Sequence, residues 1–429
     1  MVDRRKPIWV KDAIDQIMTY KKRGLVEQIP IDNCDDRFLG EPLKADHDVP
    51  PFDRSPYDGF ALRAEDTKSA SRETPLTFQV IDEIGAGSVS KHKVGSMETI
   101  RIMTGAQIPD GADSVIMLEL VQEEDSKDST YITIKRPLST GDNISFQGED
   151  AKKGTPLIDR GARINPGIKA LLATFGYSQV SCSKPPLIGV IATGSELLNP
   201  EDKLVPGKIR NSNGYMIESQ IRRAGGEYKR YGAVSDRLED LLQIVQKAMD
   251  ECDIVITTGG VSVGDFDYLP EIYKRIGAKL LFNKIAMRPG SVTSCAAKDD
   301  KLLFGLSGNP SACYVGFELF VRPYVRYWLY SDKPFIKHIK GNLKQDFSKP
   351  NPFTRFIRSQ LIYDDGKVYA KPVGLDKSGV VTSLAWANCL IVLPGGTRGY
   401  KMDDPIDILL LEDQLGSDVP WMESKFSKL

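Results

Sequence analysis

Several short stretches of the chain join glycines to hydroxyls and carboxylates, a combination suited to binding phosphate or another oxyanion. The richest is TTGGVSVGDFDYLP at 257–270. Its glycines, including Gly259 and Gly260, permit close approach of the backbone to a ligand, while Thr257, Thr258 and Ser262 supply hydroxyl donors. Asp265 and Asp267 add carboxylates that suit Mg²⁺, although in an extended piece they would point to opposite faces and need not act together. In IATGSELLNP, residues 191–200, Thr193, Gly194 and Ser195 precede Glu196 directly after a strand pattern. Backbone donors there could hold phosphate and Glu196 could coordinate Mg²⁺; a helix cap accounts for the same residues equally well. The spacing is not that of a P-loop.

Two further runs carry acidic and hydroxyl groups. PPFDRSPYDGFALR at 50–63 places Asp53 and Asp58 around a bend that Gly59 permits, which reads either as a ligand-orienting turn or as a solvated Asx turn. RIMTGAQIPDGADSVIM presents Thr104 at a Gly/Pro bend, with Asp110 and Asp113 read as turn residues. Cations come from NKIAMRPGS, which holds Lys284 and Arg288, followed by GLSGNPSACY with Ser307, Gly308, Asn309 and Ser311. A lone pair of such cations would be surface charge, but their place between glycine-bearing loops makes a site for diphosphate or molybdate an equal reading.

The elements that must position these loops follow from periodicity. Val10, Ile14, Ile17 and Met18 make residues 9–22 an amphipathic helix. Short Ile/Val/Thr-rich runs over 75–138 predict a small β domain. From 185 to about 328, strand patterns (PLIGVIAT, EYKRYGAV, DIVITT, KLLFGL) alternate with helical ones, predicting an α/β layer with a mostly parallel sheet. Such sheets bind ligands at the carboxyl ends of their strands. In the helix predicted over DRLEDLLQIVQKAMDE, Leu238, Leu241, Leu242, Val245 and Met249 form the apolar stripe, and Asp236 and Glu239 are spaced as a cap pair. Beyond 335 short strands return and predict a terminal β domain.

Composition narrows the function class. Fifty-seven Lys and Arg against 58 Asp and Glu leave a net charge of −1, so bulk electrostatics give no case for nucleic acid or an anionic membrane. Six scattered cysteines and three histidines argue against a zinc site or a disulfide framework. The opening run is charged every few residues and no stretch has membrane-spanning length, so the cytoplasm is the expected compartment.

Taken in order, FDRSPYDGFA, RIMTGAQIPDGAD, GED, IATGSEL, IRNSN, TTGGVSVGDFDY, NKIAMRPG and SGNPSA resemble the molybdopterin molybdenumtransferase (MoeA/gephyrin E-domain) family over nearly the whole chain. The resemblance implies a multi-domain α/β plus β protein. Its parts would be an α/β molybdopterin-binding domain (1–24 and 184–332), an elongated connector (25–50 and 141–183), a small β domain (51–140) and a C-terminal β-barrel-like domain (333–429). It implies insertion of molybdate into adenylyl-molybdopterin with release of AMP, assisted by Mg²⁺.

Carried onto this chain, the resemblance selects Asp58, Thr104, Asp150 and Asp267 as catalytic, with Asp58, Thr104 and Asp150 for molybdate positioning or for completing an intersubunit cleft. Glu196, Asp236 and Asp267 would organise Mg²⁺ and substrate. Thr193, Gly194, Ser195, Gly259, Gly260, Ser262, Lys284, Arg288, Gly308 and Asn309 complete the implied substrate site. The chain departs from the family pattern at Tyr57, Arg288, Ser291 and Ser307, which alters bulk, donor geometry and backbone restriction near the implied anion pocket. The implied partners are a second copy of the chain, a molybdopterin adenylyltransferase and apo-molybdoenzymes. Two other readings stay open: adenylyl transfer to molybdopterin, and a cofactor-binding scaffold with weak turnover.

Overall fold

The computed structural model describes residues 6–126, 129–234, 237–260, 268–350, 352–412 and 416–421. The predicted site residues Asp236, Ser262 and Asp267, together with Asp265, lie outside these described residues. The chain divides into two compact units. One comprises Met1–Glu41, Asp159–Ala173 and Tyr177–Leu429, the other Pro42–Ile158 and Thr174–Gly176.

The first unit is built on a six-stranded mixed sheet. Strand Leu187–Thr193 lies between Glu227–Val234 and Ile254–Thr258, and Lys301–Leu306 follows, all four parallel. Alternation along these buried strands feeds two cores. Ile188, Val190, Ile254 and Ile256 pack with Ile217 and Ile221 of helix Ser212–Ala224, whereas Ile191 and Val255 pack with Leu241, Val245 and Met249 of helix Leu238–Glu251. A sheet covered on both faces by helices needs strands that are apolar throughout, which is why these runs read so clearly in the sequence. The predicted parallel sheet is extended by two antiparallel strands, Ser294–Lys298 and Lys279–Phe282. Their Lys, Ala and Cys content gives little strand signal.

Helix Leu238–Glu251 buries Leu241, Val245 and Met249 of the predicted stripe, together with Ala248. Arg237 stands at its N-cap without a side-chain cap, and Glu239 pairs instead with Arg275 at 2.6 Å. The amphipathic N-terminal helix spans Val10–Met18 and adds Val10, Ala13, Ile14 and Ile17 to the larger core.

In the C-terminal part, strands Thr354–Asp364, Lys367–Pro372, His338–Leu343, Pro405–Leu410 and Cys389–Leu393 follow one another, and Cys389–Leu393 pairs back onto Thr354–Asp364. That pairing closes a β-barrel and leaves these strands without a free edge. The second unit holds a curled six-stranded sheet of Ser114–Met117, Gly59–Leu62, Glu98–Ile102, Leu76–Ile84, Ser129–Ile134 and Val121–Ser126. Phe60 and Leu62 enter one of its cores and Ala61 the other. No helix among the described residues is long and apolar enough to cross a membrane.

Candidate functional site

At the carboxyl ends of the parallel strands of the first unit lies a cleft of about 560 Å³. Thr193 ends one strand, Thr258 the next, and Ser307 follows the third; all three line the cleft. Parallel strands finish at one level, so loops far apart in sequence meet there.

Glycines make that meeting possible. Gly259 has φ +91°, and a Cβ on it would come within 2.5 Å of the Thr193 carbonyl oxygen and 2.8 Å of Thr193 Oγ1. Gly308 has ordinary φ, but a Cβ there would lie 3.5 Å from Gly259 Cα, so the two loop backbones run almost in contact. Gly194 has φ +148°, again a conformation suited to glycine, and a Cβ on it would fall 2.5 Å from a carboxylate oxygen of Glu196. The Glu196 side chain therefore folds back over the Gly194 backbone at the cleft wall.

Two helix starts complete the wall. Asn211 caps helix Ser212–Ala224, its Oδ1 accepting from the Gly214 N–H at 2.9 Å. Asn309 is the N-cap of helix Pro310–Gly316, with Pro310 in its first turn as the sequence predicts. The positive end of helix Ser212–Ala224 favours anions, and Arg210 on the same wall adds a full charge; in the second helix Pro310 has no N–H and the Ser311 N–H donates to the Ser378 carbonyl at 3.0 Å. The wall is held in place by a short parallel pairing of Leu197–Leu198 with Ile209–Arg210.

Of the residues predicted for substrate binding, the cleft brings together Thr193, Gly194, Glu196, Gly259, Gly260, Gly308 and Asn309. Ser195 is exposed beside it, and its carbonyl accepts from Lys208 Nζ at 2.5 Å. Lys284 and Arg288 do not line the cleft. The Lys284 carbonyl accepts from the Ile8 N–H, and exposed Arg288 sits in a two-residue strand paired with Thr354–Asp364. The motif IRNSN helps carry the family resemblance, but no residue of Arg210, Asn211, Ser212 and Asn213 was expected in the site, although all four line the cleft. The available signal was a polar Asn/Ser pair just ahead of a helical period, which is a cap pattern.

The second unit holds the other predicted group. Thr104 donates both its backbone N–H, at 2.7 Å, and its hydroxyl, at 2.8 Å, to Asp58 Oδ1. The N–H bond first and the hydroxyl second hold the Asp58 carboxyl below its usual range. Gly59 then enters a strand so tightly packed that a Cβ would lie 2.0 Å from the Ile116 carbonyl oxygen. The bend at Thr104 is tied to the first loop again, the Gly105 N–H donating to the Ser55 carbonyl at 2.8 Å. Asp53 Oδ1 accepts from the Gln147 N–H at 2.7 Å, which makes it a loop clamp. Asp150 is exposed, and its N–H donates to the Val49 carbonyl. Asp113 accepts from the Ala64 N–H and the Thr140 hydroxyl, the behaviour of a turn residue.

All six cysteines are buried and unbonded, and burial pushes each thiol up, Cys182 to about 11. Among the described residues no three His, Cys, Asp or Glu side chains are grouped as metal ligands. Glu196 is the only described carboxylate lining the cleft, so Mg²⁺ there would take its remaining oxygens from water, substrate phosphate or a further carboxylate.

Comparison with known proteins places this arrangement. Residues 8–176 match the MoeA N-terminal region (domain I and II), 189–327 the probable molybdopterin binding domain, and 340–411 the MoeA C-terminal region (domain IV). A molybdopterin molybdenumtransferase of Bacillus subtilis is 53% identical over 430 residues, covering 100% of both chains. One from Staphylococcus aureus is 49% identical over 97% of this chain and 99% of its own. The crystal structure of a molybdopterin biosynthesis moeA protein from Pyrococcus horikosii superposes with a TM-score of 0.83 at 30% identity, covering 95% of this chain and 100% of that one.

Proposed function

The chain belongs to the MoeA family of molybdopterin molybdenumtransferases, and on that premise we propose that it inserts molybdate into adenylyl-molybdopterin and releases AMP. The observation that carries the reading is the convergence of Thr193–Gly194, Gly259–Gly260 and Gly308–Asn309 on one cleft at the strand ends, beside the start of helix Ser212–Ala224 and Arg210. Backbone donors, partial positive charge and one guanidinium suit a substrate joined through phosphate.

In this reading the glycine loops hold the adenylyl phosphate at backbone distance, and Arg210 offsets its charge. Glu196, with Asp236 and Asp267, would hold Mg²⁺, which neutralises phosphate charge and so improves AMP as a leaving group. Asp58, kept ionised by Thr104, is assigned with Asp150 to positioning around the molybdate. The active species is a homodimer with an active cleft shared between its subunits.

The test is turnover by the purified protein of adenylyl-molybdopterin with molybdate and Mg²⁺, monitored for AMP and for a product that reconstitutes an apo-molybdoenzyme. Molybdate-dependent appearance of both is expected. ATP-dependent adenylylation of molybdopterin in its place would overturn the reading in favour of the adenylyltransferase, and binding without turnover in favour of a scaffold. Sedimentation, with mixing of Asp58→Asn and Glu196→Gln subunits, tests the dimer. Partial recovery of activity on mixing is expected, and none would show that the cleft is not shared.

A further inference from the structure

Asn309 holds the N-cap position of helix Pro310–Gly316, and asparagine is among the best capping residues, yet its side chain makes no cap bond. The helix start is satisfied from the C-terminal barrel instead. In the connection between strands Lys367–Pro372 and Cys389–Leu393, the Ser378 carbonyl accepts from the Ser311 N–H at 3.0 Å. The Val380 carbonyl accepts from the Ser311 hydroxyl at 2.5 Å, and Ser311 itself is fully buried. Gly379, between those two carbonyls, is exposed, and a Cβ on it would lie 3.4 Å from Asn309 Oδ1. Asn309 is exposed as well and lines the cleft, so three consecutive barrel residues sit against the cleft wall.

The barrel braces this seat. Arg358 and Arg355 of strand Thr354–Asp364 are both buried. Arg358 donates from Nε to Ser383 Oγ at 2.7 Å and from Nη2 to the Leu375 carbonyl at 2.9 Å, while Arg355 pairs with Asp376. A planar guanidinium that binds both ends of a loop fixes its shape. A helix that needs only stability is capped most readily by its own N-cap side chain, with no distant loop to order. Here the hydroxyl of Ser311 reaches an acceptor 69 residues further along the chain, and the Asn309 amide stays outside the cap. We propose, resting on the reading above, that Ser311 is a positioning residue through which barrel loop 375–383 sets the Gly308–Asn309 turn against the substrate phosphate. On its other side the same turn is held by Asn213 Nδ2, which donates to the Gly308 carbonyl at 2.8 Å. The barrel thereby takes part in substrate binding without a residue of its own having to touch the substrate.

Equilibrium binding of AMP to the full-length protein, measured beside its chemical denaturation midpoint, tests this. Ser311→Ala removes one of the two loop bonds and is expected to weaken AMP binding about fivefold. Gly379→Leu brings a side chain against Asn309 from an exposed position, and a similar loss is expected at an unchanged midpoint. Gly379→Ala meets only an ordinary 3.4 Å contact without a left-handed φ, and as the control it is expected to keep wild-type affinity.

A role confined to stability would lower the midpoint of Ser311→Ala and leave the affinity of the folded protein unchanged. Ser311→Thr keeps the hydroxyl, so wild-type affinity is expected of it even where the added methyl lowers the midpoint. Wild-type affinity in either Ser311→Ala or Gly379→Leu overturns the proposal and leaves the cleft reading standing, as does a loss in Ser311→Thr equal to that in Ser311→Ala. If wild type does not bind AMP, the cleft reading itself falls, and the proposal with it.

Discussion

Thr104 and Asp58 are joined twice at one atom: the backbone N–H and the hydroxyl of Thr104 both donate to Asp58 Oδ1, at 2.7 and 2.8 Å. Both bonds favour the ionised carboxylate, so the two strand ends that carry these residues are held together most firmly when Asp58 is charged. A carboxylate kept ionised in this way cannot serve as a proton donor near neutral pH. Its use is as a fixed negative charge or an acceptor.

We predict that Thr104→Val raises the Asp58 pKa without bringing it fully to the ordinary value, because the larger contribution, the backbone N–H, survives. Carboxyl-resolved NMR titration checks this, and an unmoved pKa would remove the hydroxyl from the account. The sign with pH follows from a folded-state pKa that is lowered. The stabilisation is present above the unfolded value of about 3.9 and is lost as pH falls through the folded value, so Thr104→Val should matter least in strong acid.

The glycines of the cleft are predicted to differ sharply. Gly259→Ala combines φ +91° with a Cβ 2.5 Å from the Thr193 carbonyl, and should cost about 1–3 kcal/mol and most of the AMP affinity. Gly308→Ala meets only an ordinary 3.5 Å contact at unstrained φ, and should change stability by less than about 1 kcal/mol. Denaturant titration of the two variants measures both, and equal effects would contradict the geometry.

Glu196→Gln should fold normally and lower Mg²⁺-dependent AMP release at least about tenfold, since the amide keeps the shape beside Gly194 and removes the charge. Gly194→Ala is expected to displace the carboxylate in part and, unlike Glu196→Gln, to lower stability as well, because φ at Gly194 is +148°. Turnover against Mg²⁺ concentration is the measurement, and unchanged Mg²⁺ dependence in both variants would take Glu196 out of the metal site.

Behind the cleft, Glu318 is fully buried in a wide helical turn, Phe317–Val321, where it pairs with Arg223 and accepts from Gln220 Nε2 at 2.7 Å. Arg223 and Gln220 belong to helix Ser212–Ala224, whose start forms the cleft wall. Glu318→Leu should cost about 3–5 kcal/mol, because it removes the carboxylate that lies 3.8 Å from buried Arg322 as well as the partner of the less buried Arg223. Chemical denaturation checks this, and a loss under about 1 kcal/mol would show that the pair is not a significant anchor.

Much of this protein was legible in the sequence because the signals are local. A strand buried on both faces is apolar throughout and needs no polar alternation, so LIGVIAT and DIVITT announce a doubly covered sheet by themselves. Glycine-rich loops directly after such strands place candidate binding groups at the strand ends, and the order of the motifs carries the family. What the sequence could not supply is proximity.

Nothing in the run that contains Gly308 says that its backbone will lie against Gly259, or that its carbonyl will take the Nδ2 of Asn213 and leave Oδ1 buried without a partner among the described residues. Arg288 looks like a pocket cation by its neighbours in sequence, yet strand pairing with Thr354–Asp364 sets it outside the cleft. Residues Gly59–Leu62 look like the end of a polar turn and prove to be a fully buried strand, because the partners that cover them come from distant segments. Composition and periodicity determine which segments become strands, helices and loops. Which atoms then meet is decided by the closing of the sheet and barrel, a long-range outcome that no local pattern encodes.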